Sequence, residues 1–319
     1  MGVNQASRAN PRLDLGVAVM EYVDAENAFI GTQVLPIFKT QERDASYSAI
    51  SREGITRTSD LKRAPRGNYN RDNFQAEDKT FRCEEYGQEQ QMDDSERKLY
   101  ASDFAADLVA SRIATRRVLA GQEKRINDLI FNGTTFTGAT LYTDISSSAP
   151  FDTAASDVLA AVTLAKEAVR TNCGMRANAL IMGRTNLERL MLNTALIGAL
   201  SPSTIPTYDQ KVAALAGWFG VKKIFVGDAV RNSADEGLDF TGVDIWNENY
   251  VMVARVVENS DDLSEPGLGR TFLWVADCSE NTTVEQYREE ATRSDVFRVR
   301  QHTDEVLFDP AFGHLLKVD

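Results

Sequence analysis

Histidine, cysteine and surplus positive charge are scarce in this chain, and each scarcity closes off a class of chemistry. Only His302 and His314 occur in 319 residues, so imidazole general bases and histidine-rich metal sites have almost no material. His302 falls on the polar side of an alternating strand and is expected to be exposed. His314 sits in the closing strand, 311–318, and is expected to be packed or hydrogen-bonded. The three cysteines, Cys83, Cys173 and Cys278, are odd in number and far apart, which argues against a disulfide framework and a zinc site and leaves buried free thiols. No apolar run approaches the ~20 residues of a membrane span. The amino terminus, MGVNQASRANPRLD, has no apolar signal-peptide core, so a cytosol-like compartment is expected. With 35 Lys and Arg against 47 Asp and Glu the net charge is −12. That balance is poorly suited to gripping nucleic acid through its phosphates, although it does not prevent a protein from enclosing it.

Catalytic motifs are missing as well. There is no Gly-x-Ser-x-Gly elbow and no Walker loop. Gly267-x-Gly269 lacks a third glycine and follows Pro266 in a loop, so it does not make a dinucleotide fingerprint. The acid pairs Asp93-Asp94 and Asp261-Asp262 stand outside any EF-hand spacing. No enzyme activity, metal or cofactor is expected.

What is present is a chain of unequal parts. It is 43% hydrophobic and 26% charged, a globular composition, and at this length a substantial core is available. Residues 1–38 mix polar and short apolar runs, read as a partly helical arm, and end at a turn around Pro36. Residues 39–80 hold Ile50, Ile55 and Leu61 as their only large aliphatics, with Tyr47, Tyr69 and Phe74. That is too little apolar surface to offset ordering the backbone, at about 1–2 kcal/mol per residue. The segment therefore predicts an extended hairpin that finds its burial on a neighbouring molecule. Its tip would lie at Leu61–Gly67, where Pro65 and Gly67 punctuate the chain, and strands of about 20 residues would reach about 65 Å. The tip is basic (Lys62, Arg63, Arg66, Arg71), whereas residues 72–96 are rich in acids, among them Glu84, Glu85, Asp93 and Asp94. Opposite charges so placed suit docking of the tip on the acidic stem of another subunit.

Beyond this lies a long helix predicted over 103–131, capped by Ser102, with Phe104, Leu108, Ile113, Leu119, Ile126 and Ile130 as its apolar stripe. At 1.5 Å per residue it would form a strut of about 43 Å. A second helix is expected over 152–172 with Gly174 as its stop, then a buried strand at Ala179–Met182. Capping boxes at Thr185-x-x-Glu188 and Thr207-x-x-Gln210 would open two more helices. Strands are expected at Val221–Val226 and Val251–Val257. Near the end, Phe297 and Val299 alternate with Arg298, Arg300 and His302, predicting a strand that pairs with Val306–Phe308 across a Thr303-Asp304 turn.

In order, the Val34-Leu35-Pro36 turn, the Arg63-Ala64-Pro65-Arg66-Gly67 tip and the return strand Phe81–Tyr86 lead into the long helix. The phrases Ala177–Gly183, Leu215–Val221, Ile224–Ala229, Ile245-Trp246 and Gly313–Leu316 follow. The set resembles the major capsid protein of tailed double-stranded DNA bacteriophages, a fold named for a Hong Kong phage and shared with encapsulins. Departures from the family pattern fall at Ala177 and Asn247. The resemblance implies an α+β fold with an arm at 1–38, an extended loop at 39–86, a peripheral domain at 87–174 with its spine helix at 103–131, an axial domain at 175–275 and return strands at 276–319. It implies a structural subunit that self-assembles into pentamers and hexamers of an icosahedral head, encloses DNA without reading its sequence, and resides in the virion after assembly in the host cytoplasm. A separate scaffolding protein, a portal and a decoration protein are the partners implied. Some relatives crosslink through a lysine of the extended loop, a role for which Lys62 is placed. The alternatives are an encapsulin-like nanocompartment enclosing an enzyme cargo, or an αβ enzyme domain with a disordered arm.

Overall fold

The computed structural model describes residues 28–50, 76–100, 106–151, 156–193 and 207–319, with Thr153 and, between the two hairpin strands, residues 52–56, 58, 62, 63, 65–69, 71 and 73. Most of the amino-terminal arm, the tip residues Leu61 and Ala64, and the expected helix start at Ser102 to Phe104 lie outside them. The described chain begins with α1 (Gly31–Val34), β1 (Ile37–Thr40), β2 (Asp44–Ile50), α2 (Arg52–Thr56), β3 (Ala76–Arg82), β4 (Glu84–Asp93), α3 (Asp94–Tyr100) and α4 (Ala106–Ile130). It continues through β5 (Tyr142–Asp144), α5 (Val158–Cys173), β6 (Ala179–Gly183), α6 (Arg184–Met191), α7 (Tyr208–Phe219), β7 (Lys223–Gly227), β8 (Val230–Asn232) and β9 (Gly242–Asp244). It closes with β10 (Tyr250–Ala254), β11 (Gly269–Trp274), β12 (Thr283–Glu289), β13 (Ser294–Leu307) and β14 (Gly313–Lys317).

Continuous apolar runs build the centre of one five-stranded sheet, ordered β5-β14-β10-β6-β7. β6 is buried at every position and β10 at all but its first, as strands covered on both faces must be. Helix α5 covers one face through Val158, Val162, Ala165 and Val169, packing with Leu180, Met182, Leu187, Leu215 and Phe219. Asp157 caps α5 by accepting from the Ala160 amide, and Gly174 ends it in the left-handed conformation at φ 77°. The Thr207 capping box forms, and Gly220 closes α7 at φ 62°. The Thr185 box does not. α6 starts at Arg184 directly off β6, so Thr185 already lies inside the helix, and its hydroxyl donates to Asp244 instead.

The second five-stranded sheet is organised by β13, which pairs with β11, β12 and β4, with β1 added outside β11. The predicted Thr303-Asp304 turn is absent, and β13 is one strand of 14 residues. Thr303 and Asp304 are held straight by partners in the ladder, Leu273 and Phe272 on one edge and, for Thr303, Glu84 on the other. Local turn preference loses to pairing on both sides. His302 is consequently buried rather than exposed, with 6% of its surface accessible.

Helix α4 lies across β13 and β4. Its buried row is Ala110, Ala114, Val118, Gln122, Ile126 and Ile130, a strict four-residue repeat. Of the expected stripe, Ile126 and Ile130 are buried and Ile113 and Leu119 only partly. Short side chains at 110 and 114 let the helix sit close to the sheet, with Ala114 and Val118 against Val299.

Candidate assembly interface

The hairpin forms, but with short strands. β2 and β3 are 7 residues each, in register from Asp44 opposite Arg82 to Ile50 opposite Ala76. Strands of about 20 residues are not seen, because after Ile50 the chain winds into α2, where Arg52 Nη1 donates to the Asn172 carbonyl at 3.0 Å and pairs with Asp309. Alternation places Ala45 and Tyr47 of β2 and Phe81 of β3 on the inner face. Phe81 stacks on Phe272 of β11 with centroids 4.1 Å apart, and Phe38 and Phe308 complete the cluster. The base of the hairpin is thus bolted to its own subunit by aromatic packing.

Farther out, burial runs out. Ile50, Ile55 and Tyr69 are 58%, 70% and 71% exposed. At the tip, Pro65 and Arg66 make a turn with Arg66 at φ 67°. Arg63 donates to the Gly67 carbonyl and lies 4.6 Å over the Tyr69 ring, so a local contact shapes the tip. Lys62, Arg66 and Arg71 are exposed, and Arg66 and Arg71 have no ion-pair partner among the described residues.

The acidic residues proposed as counterparts divide into two groups. Asp94 makes a bidentate pair with Arg288 of β12 at 2.6 and 2.8 Å, which holds its carboxyl at a pKa of about 2. Asp93 accepts from the Ser95 amide at the start of α3. Both are engaged within the subunit. Glu84 and Glu85 are exposed and remain open to an outside cation, Glu85 standing 3.8 Å from His302 Nε2. Among the described residues, Arg66 and Arg71 of the tip make no ion pair with these acids within one subunit.

Sequence reasoning missed Glu123, a buried carboxylate on α4 that joins three parts of the molecule. It accepts from the Ile30 and Gly31 amides at 2.7 and 2.8 Å and from the Trp246 indole at 2.7 Å. Burial raises its pKa, and the three donors oppose that shift. Gly31 is required there, since a Cβ would come within 2.6 Å of Glu123 Oε2. Gly227 is required for the same assembly, because a Cβ would lie 1.9 Å from the Trp246 ring. The signal in the sequence was an acid among Ala, Ile and Val inside an amphipathic helix, which reads equally well as a solvated face.

Among the described residues one group of metal-ligand types comes together: Asp277, Cys278 and His302, with ligand atoms within 4.8 Å of one another. Arg300 binds the same Asp277 carboxylate that His302 Nδ1 approaches at 2.5 Å, so an arginine supplies the positive charge there. His314 is buried, with Nε2 2.9 Å from the Thr143 hydroxyl and Nδ1 3.0 Å from the Thr140 carbonyl, a structural pairing as expected. Cys83 and Cys278 are buried, and Cys173 is partly exposed.

An arm entering over a strut helix, a projecting hairpin, a strand-rich sheet and a separate αβ sheet make up the α+β fold of shell-forming capsid proteins of the Hong Kong phage type. Among individual proteins, the chain is 28% identical over 286 residues to the major capsid protein of Burkholderia phage BcepMu, covering 87% of this chain and 88% of that one. A solved phage-related protein from Bordetella bronchiseptica is 20% identical, with 92% and 93% of the two chains covered and a TM-score of 0.67. The capsid of cyanophage P-SCSP1u is 13% identical, with 95% and 90% covered and a TM-score of 0.59. An encapsulin of Synechococcus elongatus shares the fold at 10% identity, 95% and 92% coverage and a TM-score of 0.55. No family model matches the chain. The capsid-protein resemblance read from the sequence is borne out.

Proposed function

We propose that this chain is the major structural subunit of a tailed-phage head, a non-catalytic protein whose copies form pentamers and hexamers that close into an icosahedral shell around double-stranded DNA. The observation that carries this is the hairpin. Its base is fixed on its own subunit by Phe81, Tyr47 and Phe272, while Ile50, Ile55 and Tyr69 beyond it are left exposed. Apolar side chains on a rigidly rooted projection find their burial on another molecule, and the open carboxylates Glu84 and Glu85 suit the cations at the tip of a neighbouring hairpin. Similarity over 87% of the chain to the capsid protein of a Burkholderia phage supports the phage head over the encapsulin reading. A scaffolding protein, a portal and a decoration protein made separately are the partners this role calls for, with assembly in the host cytoplasm before the subunit becomes part of the virion.

The test is negative-stain electron microscopy and size-exclusion chromatography of the purified chain, alone and with its candidate scaffold. Rings of five and six or closed shells are expected. A small species under every condition would overturn the reading. Lys62→Met tests crosslinking in the same shells: a covalent ladder on denaturing gels should vanish with this change if Lys62 forms the bond.

A further inference from the structure

Asn132-Gly133 is the only Asn-Gly step in the chain. It stands just past the end of α4, with Asn132 partly exposed and Gly133 exposed. The fold does not ask for glycine there. Gly133 has no positive φ, and nothing lies within 4 Å of the place a Cβ would occupy, in contrast to Gly31 and Gly227. Hydrogen bonds around the step are unevenly shared. Asn132 Oδ1 accepts from the Thr134 amide at 2.9 Å and from the Thr134 hydroxyl at 2.7 Å, an Asx turn closed twice. The main-chain carbonyl of Asn132 accepts from the Thr135 and Phe136 amides at 3.1 and 3.0 Å, which ties the turn to a buried phenylalanine. Among the described residues, neither Asn132 Nδ2 nor the Gly133 amide has a hydrogen-bond partner. Other asparagines lack part of this arrangement. Asn232, Asn247 and Asn259 accept from the amide two residues on, but Ser233, Glu248 and Ser260 follow them, and the Ser233 amide is committed to the Thr241 carbonyl at 2.9 Å. Asn178 and Asn186 spend Nδ2 on main-chain carbonyls.

We propose that Asn132 is a site of self-modification, at which the Gly133 amide closes on the Asn132 side chain and converts it to a carboxylate. Hydroxide takes the Gly133 amide proton, and the nitrogen attacks Cγ, forming a C–N bond and placing the charge on Oδ1. The two Thr134 donors already point at that oxygen, so they meet the charge as it develops and offset the negative end of the α4 dipole beside it. The intermediate expels Nδ2 as ammonia, which takes its proton from water and regenerates hydroxide. Water then opens the succinimide: one ring C–N bond breaks, the Gly133 nitrogen regains its proton, and an oxygen from water stays on the new carboxylate. The sum is asparagine plus water giving aspartate plus ammonia, with nothing oxidised or reduced. Opening at Cγ leaves the main chain unchanged, and the product still accepts both Thr134 bonds. Opening at the main-chain carbon would insert a methylene between Phe131 and Phe136, both buried in one cluster, so the turn favours aspartate over isoaspartate. Each conversion adds a negative charge to a chain made with −12, and the subunit carries a chemical record of its age.

The test incubates the purified full chain in mildly alkaline heavy-oxygen water and follows each asparagine by peptide mass spectrometry with fragmentation. Asn132 should convert before Asn232, Asn247 and Asn259 and should take up one heavy oxygen from the solvent. Thr134→Val keeps the amide donor and removes the hydroxyl. It should slow conversion about tenfold, less than the roughly hundredfold or more lost with a donor in a closed enzyme site, because water reaches this one. Thr134→Ser should keep the wild-type rate, and Gly133→Ala, for which space is open, should slow conversion at least as much as Thr134→Val. Thr134 is exposed and, among the described residues, bonds only within this turn, so these variants keep the fold, which their melting curves check. The proposal is overturned if Asn132 stays intact in the folded chain, or if Asn232, Asn247 or Asn259 converts as fast. A Thr134→Val rate equal to wild type, or a Thr134→Ser rate as slow as Thr134→Val, overturns it as well.

Discussion

The αβ sheet and the hairpin solve opposite problems with the same chain. In the sheet, β6 and β10 bury almost every side chain, and α5, α6 and α7 seal it within one subunit. In the hairpin, seven register pairs leave one side bare, and the apolar fastening is aromatic and lies at its root, with polar contacts such as Arg52 to Asn172 and Asp309 farther out. The sheet is sealed within the subunit, whereas the hairpin is shaped by its own contacts and, on the proposed reading, completed by other copies. A subunit that must be soluble before assembly and cohesive afterwards needs both, in separate places.

The contrast can be broken most severely from the sheet side. Trp246→Ala should cost about 3–5 kcal/mol, as for large aromatic truncations, and it also removes one of the donors that hold Glu123. Calorimetry of the free subunit would show a drop in Tm of several degrees or loss of soluble protein. Glu123→Leu should cost at least as much, since it orphans two buried amides and an indole N–H at about 1–3 kcal/mol each. Glu123→Gln, which keeps an acceptor, should lose less.

Phe81→Ala should sharpen the contrast. Its cost is bounded by local opening of the hairpin, so the main melting transition should shift little while trypsin cuts faster at Arg52, Lys62, Arg63, Arg66 and Arg71. A full-sized fall in Tm would show that hairpin and core unfold together.

Acid should act on the αβ sheet and on the second sheet, behind the hairpin's root, at different pH. Burial lowers the pKa of His314 below its usual 6.5, so the unfolded chain takes up the proton first as pH falls. The stabilisation is complete above about 6.5 and declines below it, and His314→Gln should flatten that part of a Tm-versus-pH curve. Asp94 titrates at about 2 instead of 3.8. The native pair with Arg288 is therefore fully present above the ordinary carboxylate range and is lost as pH falls toward 2, and Asp94→Asn should remove that step. The smallest effect concerns thiols. Burial pushes Cys83 up to about 12, so at pH 8 a maleimide should label Cys173 well before Cys83 or Cys278.

The sheet was legible in the sequence because its signals are local. Ala179–Met182 is a short apolar run, Gly174 and Gly220 are helix stops, and the Thr207 box closes on itself. The hairpin was legible from a shortage of apolar residues between 39 and 80, which fixed its character though not its strand length. What was hidden depends on long-range pairing. Thr303 and Asp304 look like a turn until β11 pairs with both and β4 with Thr303, and His302 looks exposed until Asp277 and Trp274 close over it. Glu123 was hidden for the same reason, since its donors lie 92, 93 and 123 residues away.

That carboxylate has an evolutionary corollary. Two of its donors are main-chain amides, which every residue but proline offers. Position 30 therefore answers only to the apolar core its side chain is buried in, and position 31 only to size. The direction in which the arm leaves the body is thus inherited through position 123 rather than through the arm's own sequence. Descendants of this subunit are free to rewrite the arm for new assembly partners while keeping the angle at which it is presented.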